Sequence, residues 1–319
     1  MRNIIEEYRK EAMEHVKSVD SFMKCFPKCL PAIRSKIGKA DADSILALGD
    51  SMREIFRSTK EEARVGDAKE VNGNLCRAGT FWECMETWYC NLTTLGRRTV
   101  VIKKKQNLIP TPIWDALVWR IGEKNQNTET DLIAITFPDL PEYSADPRTL
   151  RLIDENGKEI RMYRKKRDGS MEFNRKKVFD FLARRDFNLI EVHVIQCKTN
   201  WNDSSYQVSM WNDVYEGRKS GITTGQNGYS IKDLKRFSYS FATVPTNRVE
   251  NYNSETPCVH FMKELSGGNY WGMRTKDGVA ESFEVMIEKN LSSGSSKSLQ
   301  ETLSEAIPDL SKEYSYFGL

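Results

Sequence analysis

The sequence predicts an α/β protein in which helices flank a mixed central β-sheet. Three observations carry that expectation. Apolar residues recur at three- and four-residue intervals over residues 1–70. Four short strand-like runs follow, RTVVIK, TDLIAITF, NLIEVHVIQCK and FSYSFATVP, the middle two marked by their β-branched content and the last stopped by Pro245. Helical patterns stand before the first of these runs and between the last two.

Ile5, Tyr8, Ala12, Val16 and Val19 define one amphipathic helix, and Ile45, Leu48, Met52, Ile55 and Phe56 define a second. Pro27 and Pro31 are expected to break the chain between them, because proline lacks the amide donor a helix interior needs. VGDAKEVNGN, Val65–Asn74, reads as a connector. GTFWECMETWYCNLTTLG then sets Phe81, Trp82, Met85, Trp88, Tyr89 and Leu92 on one helical stripe ending near Gly96. The aromatic residues of that stripe are read as core.

Between the second and third strands lies a long basic insertion, residues 138–187. It has a hairpin signal at Asp154–Gly157, the stretch RMYRKKRDG, and a short helix over Lys176–Arg185. After the third strand SSYQVSMWNDVYEG reads as a helix and KSGITTGQNGYS as a polar, glycine-rich loop. A weaker β-rich region is expected to about Leu291, then a linker opening with SSGSSKS into a short helix, Leu299–Ala306. The division is thus a helical region over 1–70, a main domain over 71–291 holding the insertion, and a linker with terminal helix over 292–319.

Composition excludes several classes. At 39% hydrophobic and 29% charged the chain is an ordinary globular protein. No apolar run approaches the ~20 residues that span a bilayer, and the N-terminus lacks the pattern of a signal peptide. A cytoplasmic protein with no membrane partner is therefore expected. Seven cysteines without paired spacing argue against a disulfide framework, and Cys25 and Cys29 lack a second pair to complete a zinc site. With only three histidines, His15, His193 and His260, a histidine-based hydrolase is disfavoured. A net charge of +3 means that any nucleic-acid contact must come from local basic patches.

The chemistry-bearing residues gather on two strands. Asp131 opens TDLIAITF, and Gln196 and Lys198 lie two apart near the end of NLIEVHVIQCK. Strand side chains alternate, so Gln196 and Lys198 emerge on one face. At the end of an apolar strand both are costly unless a polar cleft receives them. An acid, an amide oxygen and a lysine together are the groups that hold a divalent metal and offset charge on a phosphodiester.

With TETD ending at Asp131 and QCK running from Gln196 to Lys198, the chain resembles the PD-(D/E)XK nuclease superfamily, and more narrowly type II restriction endonucleases. The resemblance covers about residues 75–247. It implies a restriction-endonuclease-like core of helix, mixed sheet and helix. It also implies Mg2+, with Mn2+ as a substitute, held by Asp131, Gln196 and Glu83, and no organic cofactor. Lys198 would orient the attacking water. Glu83 in GTFWE suits the helix carboxylate of the family, with Glu86 one turn later. The chain departs from the pattern in having Gln rather than Asp or Glu at 196. The long interval between Asp131 and Gln196 leaves Glu129 and Asp115 open as rival carboxylates. His193 projects from the opposite strand face to Gln196 and is read as packing.

The implied partner is double-stranded DNA, cut by a homodimer within a restriction-modification system. Arg164, Lys165, Lys166 and Arg167 are candidates for gripping phosphates. Asn200, Asn202, Arg218 and Lys219, with Gln226 and Asn227, are candidates for contacting DNA and reading base edges. Two other readings stand beside this one: a modification-dependent or repair nuclease of the same superfamily, and a catalytically silent DNA-binding protein.

Overall fold

The computed structural model describes residues 3–63, 68–199, 204–218, 220–245, 249–291 and 294–319, with side chains at 59–77 and 204–206 left undescribed. Helix α1 (Ile4–Lys17) starts where the Asn3 side chain accepts the Glu6 amide. Helix α2 (Asp20–Ile37) runs straight through Pro27 and Pro31, contrary to the expected break. The core explains why: Phe22, Phe26, Cys29 and Ile33 are all buried, and that burial outweighs the missing amide bonds. Helices α3 (Ala42–Ala47), α4 (Met52–Ala63) and α5 (Ala68–Thr93) follow. Because α5 begins at Ala68, most of the expected connector is helical, and the boundary at residue 70 falls inside a helix.

The four expected strands all form. Strand β1 (Thr99–Lys103) is followed by α6 (Thr111–Leu117) and a small hairpin of β2 (Trp119–Ile121) and β3 (Lys124–Gln126). Then come β4 (Leu132–Thr136), α7 (Pro141–Ser144), the basic hairpin β5 (Tyr163–Lys165) and β6 (Met171–Phe173), α8 (Arg175–Arg185) and β7 (Glu191–Lys198). Helix α9 (Ser204–Tyr215), β8 (Ile222–Thr224) and β9 (Arg236–Thr243) follow. The region expected to be β-rich instead holds two helices, α10 (Pro257–Leu265) and α11 (Phe283–Asn290), with a two-residue β10 (Asn269–Tyr270) between them and irregular chain around them. Its apolar residues are too short a run for periodicity to separate strand from buried helix. Helix α12 (Leu299–Ala306) opens with a capping box between Ser298 and Glu301 and forms where the sequence placed it.

The main sheet has the order β1-β4-β7-β9-β10. Strand β4 runs antiparallel to both of its neighbours, β1 and β7, while β9 runs parallel to β7 and β10 parallel to β9. Alternation divides the strands between two apolar cores. Val100, Ile102, Ile133, Ile135, Val192 and Val194 face one core, with α6, α8, α9 and α10. Val101, Leu132, Ala134 and Ile195 face the other, with α2, α4, α5 and α12. No described helix is long and apolar enough to cross a membrane.

The outer flank of β1 would be a bare edge, and one side chain closes it. Asn91 of α5 donates from Nδ2 to the Val101 carbonyl at 2.6 Å and accepts the Val101 amide on Oδ1 at 3.0 Å, as a neighbouring strand would. Arg9 locks the same corner. Fully buried, it binds Glu6 at 2.9 Å, the Thr94 hydroxyl at 2.9 Å and the Arg97 carbonyl at 2.9 Å. It thus ties α1 to the end of α5, where carbonyls lack helical partners. Asn91→Leu keeps the volume but leaves both Val101 groups unpaired and buried. We expect a loss of about 2–4 kcal/mol in urea unfolding. An unchanged midpoint would mean that the edge is closed by something other than this amide.

Candidate active site

The site lies where β4 and β7 part. Their ladder ends at the pair Leu132 and Ile195, and two side chains then carry on the pairing. Thr130 donates through Oγ1 to the Ile195 carbonyl at 3.3 Å, and the Asp131 carboxylate accepts the Cys197 amide at 2.9 Å. Strand β7 stays fixed meanwhile, because its pairing with β9 continues to Lys198 and Thr243. The last residues of β7 therefore have a firm neighbour on one side and an opening on the other. Alternation puts Gln196 and Lys198 on the face of Val192 and Val194, and Asp131 on the face of Ile133.

Gln196 is 5% exposed, and its Oε1 has no hydrogen-bond partner among the described residues. Such a group costs free energy unless something else satisfies it. Lys198 is half-buried beside it. Burial pushes the Asp131 carboxyl up to about 6, helped by the nearby Glu83 charge and opposed by the Cys197 amide, Lys198 and Lys104. The Lys104 amide donates to the Asp131 carbonyl at 2.8 Å, and its ammonium to the Thr128 carbonyl at 2.8 Å, fixing the approach to Asp131.

Glu83 reaches this place from α5, on the far side of the sheet, and its carboxylate is in an ion pair with Lys103 at the end of β1. Burial disfavours the Lys103 ammonium, yet the Glu83 charge and hydrogen bond hold its pKa above the usual lysine value. Lys103 was visible in the sequence only as part of a basic strand end. The signal that could have found it is position: it closes the strand next to the one opened by Asp131.

The rival carboxylates are placed elsewhere. Asp115 is buried and accepts from Gln226 Nε2 at 2.7 Å and Asn227 Nδ2 at 3.0 Å. That arrangement also engages the two amides expected to read bases, so the pairing is better described as a loop clamp. Glu129 is exposed. Glu86 is fully buried with both oxygens unpartnered among the described residues, and burial drives its carboxyl well above the usual range. It lies under the sheet, where burial favours its neutral form. His193 is buried, with Nδ1 2.8 Å from the Ser238 hydroxyl and Nε2 2.7 Å from that of Ser240, so packing accounts for it.

Of the residues expected to contact DNA, Arg164, Lys165, Lys166 and Arg167 are exposed on the β5–β6 hairpin. Glu172 pairs with Arg164 at 2.8 Å and with Lys166 at 3.4 Å, offsetting part of that charge. Arg218 is exposed just past α9, the helix that runs back from the site end of β7. Asn200, Asn202 and Lys219 lie outside the described residues. Among the described residues no group of three or more His, Cys, Asp or Glu side chains is arranged to hold a metal ion. No known protein-family model matches the chain, and no curated protein matches it in sequence.

The raised carboxyl of Asp131 makes a stability prediction. An acid whose pKa rises on folding contributes stability below its unfolded value, and that contribution is lost as pH rises through the folded value. For Asp131 the window runs from 3.8 to about 6. Asp131→Asn keeps the acceptor for the Cys197 amide and removes the charge. In the absence of divalent ions the variant should be more stable than the parent by about 1–2 kcal/mol above pH 7, allowing for partial exposure. The difference should vanish below pH 4. Urea titrations at pH 4, 6 and 8 measure it, and a variant weaker at every pH would refute the assignment.

Proposed function

We propose that the chain is a divalent-metal-dependent endonuclease of double-stranded DNA, of the site-specific type II kind and acting as a homodimer. The observation that carries this reading is the convergence of Asp131, Gln196 and Lys198 where β4 and β7 part. The succession α5, β1, β4, β7, α9, β9 supports it, being the order that the PD-(D/E)XK resemblance calls for.

The donor set fits a hard cation. Mg2+ takes oxygen ligands and keeps several waters, so it needs few from protein. Asp131 brings a carboxylate whose charge is poorly tolerated without a counter-ion. Gln196 brings a buried acceptor oxygen with no described partner, and Glu83 stands near enough for its charge to be felt at Asp131. A bound ion would supply the acidity that activates water and steadies the leaving oxygen.

The chain's own groups do the rest. The Cys197 amide holds the Asp131 carboxylate in one orientation. Lys198, on the same face as Gln196, positions the nucleophilic water and offsets negative charge developing on the phosphate. The basic β5–β6 hairpin is suited to backbone phosphates, whose contacts carry no sequence information. A duplex has two strands to cut, and a two-fold pair of such sites suits a palindromic target. One observation favours the silent DNA-binding reading: with a neutral Gln196 the site offers two carboxylates, and among the described residues no group of three His, Cys, Asp or Glu side chains is arranged to hold a metal ion. A cleavage assay on plasmid DNA with and without Mg2+ decides between them, and activity that survives exhaustive chelation would overturn the metal dependence.

Two variants test the roles. Lys198→Ala should reduce cleavage by at least about a hundredfold while duplex binding in a gel shift stays near that of the parent, one phosphate contact among several being lost. Loss of binding together with a collapsed circular dichroism spectrum would instead make Lys198 structural. Gln196→Glu replaces a neutral donor by a charged one of the same shape, so half-maximal cleavage should need less Mg2+. Gln196→Ala should lose most activity. Equal Mg2+ requirements in the parent and the glutamate variant would remove Gln196 from the metal.

A further inference from the structure

We infer that Lys103 gates the divalent-cation site: its ammonium occupies the Glu83 carboxylate, and an ion gains Glu83 only by displacing it. This rests on the metal-dependent reading above and deepens it. Lys103 ends β1, Asp131 stands just before the adjacent antiparallel strand β4, and Glu83 of α5 is paired with the Lys103 ammonium. The Glu83 and Lys103 side chains are only 20% and 15% exposed, so their pairing is shielded from the screening that weakens surface pairs. Asp131 feels the Glu83 charge, and Lys103 feels that of Asp131, so the three groups share one electrostatic neighbourhood.

Charge counting gives the pair its meaning. With a neutral Gln196, the negative charge at hand is that of Glu83 and Asp131. Lys103 cancels the first, and Lys198 and Lys104 act on the second. With three ammonium groups set against two carboxylates, the resting site has no net negative charge and offers a dication little net attraction. A lysine is suited to yield, because its charge is a compact ammonium on a flexible stem that can swing aside without moving the backbone. The competing explanation is that Lys103 merely ties α5 to β1. A tie would be lost on truncation with no gain in ion affinity, whereas a gate would be opened.

Calorimetric titration of Mg2+ and of Mn2+ into the full chain without DNA separates the two. Lys103→Met should bind each ion about tenfold more tightly than the parent, since one nearby positive charge is gone. Its melting temperature without ions should be lower than the parent's, and Mg2+ should raise it further than it raises the parent's. Lys103→Arg, which keeps the charge, should show no gain. Adding Glu83→Gln to Lys103→Met should abolish the gain. Lys103→Gln keeps a donor for Glu83 without the charge and should behave as Lys103→Met does, so the test survives if the methionine variant fails to fold. Affinity unchanged or weakened in both neutral variants overturns the gate. If the parent nevertheless cleaves DNA with Mg2+, the nuclease reading stands without it. If no protein binds either ion and none cleaves, both fall together.

Discussion

Everything about the candidate site depends on one handover in the sheet. Where β4 leaves β7, backbone pairing gives way to side-chain pairing, through Thr130 to the Ile195 carbonyl and Asp131 to the Cys197 amide. Had the ladder run on, Asp131 would be one more strand residue. Had the strands simply splayed, a buried amide on β7 would be orphaned at a cost of about 1–3 kcal/mol. The carboxylate closes the ladder and opens the cleft in one contact. It can do so only because β7 is held from the other side along its whole length by β9.

That arrangement stores unfavourable electrostatics in a rigid surround. Asp131 is held in a place that favours its neutral form, Gln196 Oε1 is unsatisfied, and Glu86 is buried without a described partner. Each is tolerated because apolar packing on both faces of the sheet, with Arg9 and Asn91 locking the α5 corner, over-determines the backbone there. The costs at Asp131 and Gln196 fall together where β4 and β7 part, which is what a binding site looks like energetically.

Much of this was legible in the sequence, for reasons that differ by element. The four main strands were readable as short runs, two of them marked by β-branched content and one stopped by Pro245, and Leu299–Ala306 from the serine-rich stretch that precedes it. The path of α2 was not, since two internal prolines argue locally against what Phe22, Phe26 and Ile33 enforce through packing. The helices α10 and α11 were missed because short apolar runs do not declare their period. At the site, alternation was enough to set Gln196 and Lys198 together and to send His193 into packing. The ion pair of Glu83 with Lys103 was beyond reach, because it joins a helix to a strand by tertiary contact alone. So was the fate of Asp115, whose partners Gln226 and Asn227 are remote in the chain.

Helix α5 carries Glu83, yet its cover comes from opposite ends of the sequence. Arg9 caps one corner, and Trp88 donates through Nε1 to the Phe317 carbonyl at 3.1 Å, over a surface shared with Leu299 and Leu303. A chain leaving the ribosome has made β1, β4 and β7 well before residues 299–317 exist. Until they emerge, the aromatic stripe of α5 lacks part of its cover. Contacts of this sequence separation form late and slowly. The cleft should therefore be completed only after synthesis has passed Phe317, which delays the ripening of the site until nearly the whole described chain is available.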